Sequence, residues 1–369
     1  MRIAQVAPLY ESVPPKLYGG TERVVSYLTE ELVQQGQDVT LFASGDSKTK
    51  ARLMSVIPKA LRLENVADAN VYNILQLQMV LDMASVFDVI HYHTDYLHFP
   101  STYLQQCRNV TTLHGRLDID GLNRLYQKFC TMPIVSISFN QRTSLYHGNW
   151  MANIYHGIPE NLYQKGSGQG GYAAFIGRIS PEKRVDRAIE IAECAGIKLK
   201  IAAKIDRVDK EYFNEIIKPL FSKPHVEFIG EIGEEEKGAF LGNALVTLFP
   251  IDWPEPFGMV MIESLACGTP VIAYNKGSVQ EVIDHGKSGF IVNDLKGALS
   301  AMKKIHRISR EDCRRIFVER FTAKRMASDY LDLYGKLINK QLDKAGKEIL
   351  LYRNKTGEGR NRDSSFLSA

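Results

Sequence analysis

"WPEPFGMVMIESLACGTPVIAYNKGSVQEVIDHGKSGFIV", residues 253–292, decides how the rest of the chain is read. Its two carboxylates, Glu255 and Glu263, have seven residues between them: a Pro, a Phe, a Gly and an apolar run. Just before it, "ALVTLFP" (244–250) has the apolar run of a buried strand and "IDWPEP" the composition of a loop. Gly258 then opens a helix, "GMVMIESLACG", which Gly268 closes, and "TPVIAY" (269–274) is the next strand. Glu255 is therefore expected in the loop and Glu263 one to two turns into the helix. The amides of Phe257, Gly258 and Met259 are expected to be free at the helix start. Carboxylates accept paired hydrogen bonds from vicinal hydroxyls such as those of a ribose or hexose. One acid could hold a sugar and the other a ribose, with phosphates between them at the helix terminus. Glu263 could instead be a capping or surface charge, but its segment is otherwise so apolar that an isolated carboxylate there needs a partner.

Outward from this stretch, apolar runs and helical patterns alternate. After it comes "GFIV" (289–292), and before it "YAAFIG" (172–177), "KLKIAAK" (198–204) and "HVEFIG" (225–230), separated by helical segments such as 184–195 and 234–243. The first half shows the same grammar in "RIAQVAP" (2–8), "DVTLFA" (38–43), "FDVIHYH" (87–93), "NVTTLH" (109–114) and "MPIVSIS" (132–138). "GTERVVSYLTEELVQQG" puts Val24, Val25, Leu28, Leu32 and Val33 on one helical face and stops at Gly36. Strand–helix–strand alternation implies parallel sheets covered on both faces. The pattern lapses in "PENLYQKGSGQGG" (159–171), which is read as a linker. The expected organisation is thus α/β, with two doubly wound domains at 1–165 and 166–320, a closing helix at 321–345 and a flexible tail at 346–369. A short membrane- or partner-binding segment around Ile349–Arg353 is the rival reading of that tail.

Composition narrows the class. The chain has 369 residues, 44% hydrophobic and 24% charged, with a net charge of +4. That mild charge suits an anionic small molecule or a glancing membrane contact and does not mark a nucleic-acid binder. The five cysteines (Cys107, Cys130, Cys194, Cys267, Cys313) are scattered and odd in number, which fits a reducing cytosol better than a disulfide framework or zinc site. "MRIAQVAP" reads as a first strand, and no apolar run reaches the roughly 18 residues of a membrane span. A cytoplasmic protein, at most peripheral at the inner membrane, is expected.

In open parallel sheets ligands gather beyond the C-terminal ends of the strands, so the residues there are the site candidates. Gly19-Gly20 precedes the first long helix, where backbone can approach a phosphate, although the pair lacks the G-x-G-x-x-G dinucleotide fingerprint. His114 ends a strand. "HYHTDYLH" supplies His91, His93, Asp95 and His98, without a second cluster at a familiar metal spacing. In "FIGRISPEKRVDRAIEIA", Arg178 follows a strand and Lys183 precedes a helix, two cations suited to a diphosphate or simply to a solvated basic loop.

Taken together, "YGGTERVV" (18–25), "TLHG" (112–115), "FIGRISPEKRVDRAI" (175–189), "PEPFGMVMIESLACGTPVIAYNKGSVQEVI" (254–283) and the helical close near 321–334 resemble the retaining group 1 glycosyltransferases of the GT-B fold. They run in that family's order and cover nearly the whole chain to about residue 340. The resemblance implies two Rossmann-like domains facing a cleft, the first on the acceptor side and the second holding a nucleoside-diphosphate sugar. Arg178 and Lys183, helped by Gly19 and Gly20, would hold the diphosphate. Glu255, with the backbone after Phe257 through Gly258 and Met259, would hold the transferred sugar. Glu263 would bind the ribose, and His114 would contact the sugar. A hexosyl unit, with UDP-glucose the guess for its donor, would pass to an unknown acceptor in α-linkage by front-face displacement, without cofactor or metal. A GT-B epimerase, a phosphorylase and a non-catalytic nucleotide-sugar binder are the alternatives. In one place the sequence departs from the family: Arg184 stands where a Gly often follows the lysine.

Overall fold

A computed structural model describes residues 1–16, 19–64, 66–105 and 107–356, with side chains to residue 339. The first sheet contains β1 (Arg2–Val6), β2 (Asp38–Phe42), β3 (Arg52–Met54), β4 (Val89–Tyr92), β5 (Asn109–Thr112), β6 (Pro133–Ser136) and β7 (Asn149–Asn153). All pair in parallel, in the order β3-β2-β1-β4-β5-β6-β7. The second sheet contains β8 (Tyr172–Arg178), β9 (Lys198–Lys204), β10 (Val226–Gly230), β11 (Val246–Phe249), β12 (Val271–Tyr274) and β13 (Gly289–Val292). Its order is β10-β9-β8-β11-β12-β13, again parallel throughout. The expected fold class is therefore the observed one. β3 and β7 were not anticipated: β3 is three residues long and β7 is only half-buried, so neither carries the continuous apolar run that marks the central strands.

Period-two geometry explains why both faces are buried. Along β1, Ile3 joins the cluster of Val24, Leu28, Val89 and Val110, whereas Ala4 and Val6 join Phe42, Val80, Phe87 and Tyr92. In the second sheet, Ala173 and Phe175 of β8 meet Ile189 and Ala192 of the helix Val185–Ala195. Ala174, between them, meets Ile262 and Leu265 of the helix Met259–Ala266. Parallel crossovers put a helix on each face, and strands buried on both sides read as apolar runs.

In each sheet the strand order reverses next to the first strand, at β1/β4 and at β8/β11, which opens a crevice beyond the strand ends. The helix Ala323–Thr356 follows the second lobe and returns to the first, packing Met326, Tyr330, Leu333 and Tyr334 among Ile3, Leu28 and Val89. Its backbone runs to Thr356. Residues 357–369 of the expected tail, and the side chains of Ile349–Arg353, lie outside the described residues. No helix among the described residues is long and apolar enough to cross a membrane.

Leu333 is 3% exposed at the contact between the returning helix and the first lobe. Leu333→Ala should cost about 2–5 kcal/mol through lost burial plus a cavity, read as a lower urea midpoint. A midpoint within error of wild type would mean that the helix is not docked there in solution.

Candidate functional site

Every residue singled out from the sequence as a site candidate on glycine, charge or strand-tip grounds, apart from the "HYHTDYLH" group, lines one cavity. Gly19, Gly20, His114, Arg178, Lys183, Glu255, Phe257, Gly258, Met259 and Glu263 surround a volume of about 390 Å³ between the two sheets. Three segments of the second lobe build its floor. β8 delivers Arg178 at its tip, the following loop delivers Lys183, and the loop after β11 delivers Glu255.

Lys183 donates to the Glu255 carboxylate, which also accepts from Trp253 Nε1 at 2.9 Å. The ammonium sits over the Trp253 and Phe249 rings, 5.1 and 5.9 Å from their centroids. The loop carrying Glu255 is braced by its neighbour: Ser278 N–H donates to the Glu255 carbonyl at 3.0 Å and Ser278 Oγ to the Phe257 carbonyl at 2.8 Å. Gly277 makes this approach possible. Its φ is +57°, and a Cβ there would lie 2.3 Å from the Glu255 backbone. Gly258 itself is not helical but caps the helix in a left-handed conformation, so the helix begins at Met259. Met259 and Val260, in a first turn whose amides have no acceptor within the helix, line the cavity.

Arg178 pairs with Glu182, and its guanidinium lies 3.4 Å from Asp209 and 3.8 Å from Asp206. Glu263, 3% exposed, is a partnered acid: Lys237 of the helix Glu234–Asn243 donates to it at 2.9 Å. The same helix reaches the first lobe, where Arg23 donates to Glu234, a carboxylate that also accepts from Tyr163 of the second lobe. Five cations (Arg23, Arg178, Lys183, Lys204, Lys237) thus stand on the wall against three carboxylates (Glu231, Glu255, Glu263), an excess that favours an anionic guest.

Sequence reasoning missed three of those cations. Lys204 ends β9 and lay within reach of the strand-tip rule. Arg23 is hidden in the first turn of a helix. Lys237 follows "EEE", which reads as a solvated helix face.

On the first lobe His114 is half-buried at the wall. Its ring stacks on His156 (centroids 5.1 Å apart, 19° between planes), and His156 meets Phe257 edge-on at 5.0 Å. His114 Nε2 lies 2.8 Å from His93 Nδ1. Burial holds His114 neutral, pushing its pKa to about 3, and pushes those of His91, His93 and His156 far below the usual 6.5. Of the remaining strand-tip histidines, His98 stacks flat on Tyr92 at 3.7 Å and is likewise lowered by burial to about 3. Among the described residues no group of three or more His, Cys, Asp or Glu side chains could hold a metal ion.

Arg184, the departure from the resembled pattern, caps the helix Val185–Ala195 at φ 53°, ψ 52°, a left-handed conformation that glycine adopts without strain. Its guanidinium is tied to Asp186 at 2.7 Å and to Asp252 at 3.2 Å, and Arg184 is not among the residues lining the cavity.

Comparison with known proteins agrees with this geometry. The family model described as "Glycosyl transferases group 1" matches residues 164–321, and that described as "Glycosyltransferase Family 4" matches residues 18–152. The chain is similar to N-acetyl-alpha-D-glucosaminyl L-malate synthase of Bacillus anthracis, at 26% identity over 89% of this chain and 96% of that one. Among solved structures it resembles AviGT4, a glycosyltransferase involved in avilamycin A biosynthesis, with TM-score 0.71, 23% identity, and coverage of 92% of this chain and 98% of that one. It also resembles Anabaena HepE in complex with UDP and glucose, with TM-score 0.71, 16% identity, and coverage of 90% and 98%. These two structures share the fold.

Two outcomes follow from the site's construction. Unfolded, the buried histidines would titrate near 6.5, whereas in the fold they stay neutral to much lower pH. The unfolded chain therefore takes up protons first, so their contribution to stability is whole above about pH 6.5 and declines below it, each ring by up to about 1.4 kcal/mol per pH unit. The urea midpoint should fall between about pH 7 and 5, above the range where most carboxylates titrate. A flat profile there would mean that the rings protonate without unfolding. At the helix cap, Arg184→Gly should leave the protein about 1 kcal/mol more stable than Arg184→Ala, since both remove the guanidinium but only alanine keeps the left-handed strain. Equal urea midpoints would contradict that conformation.

Proposed function

The chain belongs to the group 1 glycosyltransferases, and from that premise we propose that it moves a hexosyl unit from a nucleoside-diphosphate sugar to an acceptor with retention of the α configuration. The observation that carries the reading is convergence: two acids and an excess of cations from separate segments face one cavity at the strand ends of both sheets. UDP-glucose is the donor we propose to test first, and the complex of HepE with UDP and glucose supports that choice.

In this reading Lys183 and Arg178 take the diphosphate. Lys183 is held by Glu255, so a phosphate oxygen would replace the carboxylate as its partner. The exchange frees Glu255 to accept hydrogen bonds from the transferred sugar, and Trp253 Nε1 continues to orient it. The first turn at Met259 and Val260 adds donors and a favourable helix dipole. Glu263, held in place by Lys237, receives the ribose hydroxyls. From the opposite wall Gly20 lets the backbone approach, since a Cβ there would meet no protein atom within 4 Å. His114 contacts the sugar ring.

As the bond from the anomeric carbon to the leaving phosphate oxygen breaks, positive charge builds on the sugar and negative charge on the diphosphate. Lys183 and Arg178 stabilise the latter, a preorganised electrostatic effect. The acceptor oxygen bonds to the anomeric carbon from the same face, and its proton passes to the departing diphosphate. The route needs no carboxylate nucleophile, in contrast to the paired acids of retaining hydrolases.

Release of UDP from UDP-glucose measures the roles. Lys183→Ala and Glu255→Ala should each lower kcat/KM by about 10²–10³ with the circular-dichroism spectrum retained. Turnover close to wild type in either variant would remove that residue from the site. The anomeric coupling constant of the product decides the stereochemistry, and a β-linked product would rule out front-face displacement.

A further inference from the structure

The wall residue His114 is the end of a buried chain of hydrogen bonds that runs through the first lobe to the returning helix. His114 Nε2 lies 2.8 Å from His93 Nδ1, His93 Nε2 lies 2.7 Å from Gln5 Oε1, and Gln5 Nε2 donates to the Tyr334 hydroxyl at 3.1 Å. The Tyr334 hydroxyl is in turn 2.7 Å from His91 Nδ1, His91 Nε2 is 2.7 Å from Thr112 Oγ1, and Thr112 Oγ1 is 2.7 Å from the Tyr330 hydroxyl. Gln5 and His91 are fully buried, and His93 is 2% exposed.

We infer that Gln5 and His93 are positioning residues for the transfer: together they hold His114 as the tautomer protonated at Nε2 and tie its orientation to Tyr334 of the returning helix. The inference rests on the proposed contact between His114 and the transferred sugar.

With Gln5 Oε1 facing His93 and its Nε2 facing Tyr334, the donor and acceptor inventory leaves one assignment for His93 and His114. An amide oxygen only accepts, so His93 must carry its proton on Nε2 to satisfy Gln5 Oε1. A neutral imidazole has one proton, so His93 Nδ1 is a lone pair, and the hydrogen bond to it must come from His114 Nε2–H. His114 Nδ1 is then bare, and it has no partner among the described residues. In the other direction the Tyr334 hydroxyl accepts from Gln5, and beyond it the contacts of His91 with Tyr334 and Thr112 admit either tautomer of that ring. The Gln5 amide thus orients the His93 and His114 end of the chain, and burial keeps its rings neutral.

The arrangement has a chemical consequence. His114 has no proton to give to a guest, so it is not an acid there, and its bare Nδ1 is itself buried. A ring kept neutral also adds no positive charge next to an anomeric carbon that is itself becoming positive, where an imidazolium would oppose the reaction. Because Tyr334 belongs to the helix that follows the second lobe, the ring's orientation is tied to the docking of that helix on the first lobe.

The test uses the full chain labelled with ¹⁵N-histidine. Long-range ¹H–¹⁵N spectra at neutral pH separate the two neutral tautomers and the imidazolium, and the signal missing from His114→Gln assigns that ring. Wild type should show His93 and His114 both neutral and protonated at Nε2. Gln5→Leu, and Gln5→Met should leucine not fold, should shift both rings toward mixed tautomers. With UDP-glucose the same variants should lose about 10-fold or more in kcat, while the donor KM stays within a few-fold. A wild-type His114 protonated at Nδ1, tautomers unmoved by loss of the amide, or kcat unchanged when the tautomers do move would each overturn the inference. The spectra need no substrate, so they stand even if UDP-glucose is not turned over. Conversely, His114 as the Nε2–H tautomer in an enzyme with no nucleotide-sugar activity would refute the proposed function and leave the relay intact.

Discussion

The polypeptide passes between its lobes twice, and the two passages are stitched to each other by backbone. Ile158 N–H donates to the Phe321 carbonyl at 3.0 Å, and Ala323 N–H donates back to the Ile158 carbonyl at 2.8 Å. The strands touch so closely at this point that a Cβ on Gly157 would fall 2.2 Å from the Thr322 carbonyl oxygen. Phe321, fully buried, packs against Tyr155 and Phe257 around the stitch. Everything the cavity does depends on this junction, because it fixes where one row of strand tips stands relative to the other. Neither lobe alone carries a complete wall: His114 and Gly20 come from the first, and Arg178, Lys183 and both acids from the second.

The junction also explains how charge can be concentrated in a partly dehydrated crevice. Lys183 faces Glu255, Lys237 faces Glu263, and Arg23 reaches Glu234 across the lobes. A half-buried charge without a partner is costly. On the walls Glu255 and Glu263 each have a cation whose own chemistry suits a phosphate. A guest bearing both phosphate and hydroxyls can replace those pairings one for one, satisfying the cation with an oxyanion and the acid with a hydroxyl. A guest with only one of the two leaves a buried charge without a partner, which in the proposed function is the physical basis for selecting a sugar that carries a diphosphate.

The histidines show a different economy. Four imidazoles, His91, His93, His114 and His156, lie within ring contact of one another in succession, each neutral because it is buried. In the sequence His91 and His93 look like half of a metal site. In the fold His91 lies in β4 and His93 directly after it, and their ring nitrogens meet Tyr334, Thr112, His114 and the Gln5 amide. The residues that complete their environment, Gln5, Tyr330 and Tyr334, come from the two ends of the chain.

By itself the sequence determined the two alternating α/β halves, because strands buried on both faces must be continuously apolar and the helices between them must be amphipathic. It also determined the ends of the strands, and with them Arg178, Lys183, His114 and the Glu255–Glu263 spacing, since parallel topology leaves only one edge of each sheet for ligands. It could not give the partners. Lys237 reads as a surface charge, Arg23 as an ordinary helical residue and Gln5 as one polar residue inside a buried strand. Each acquires its meaning from a residue far away in the chain: 26 positions separate Lys237 from Glu263, 211 separate Arg23 from Glu234, and 329 separate Gln5 from Tyr334. Local pattern encodes which way a side chain faces along its own helix or strand. What it faces is set by how the lobes are packed and stitched, and only the tertiary structure decided that.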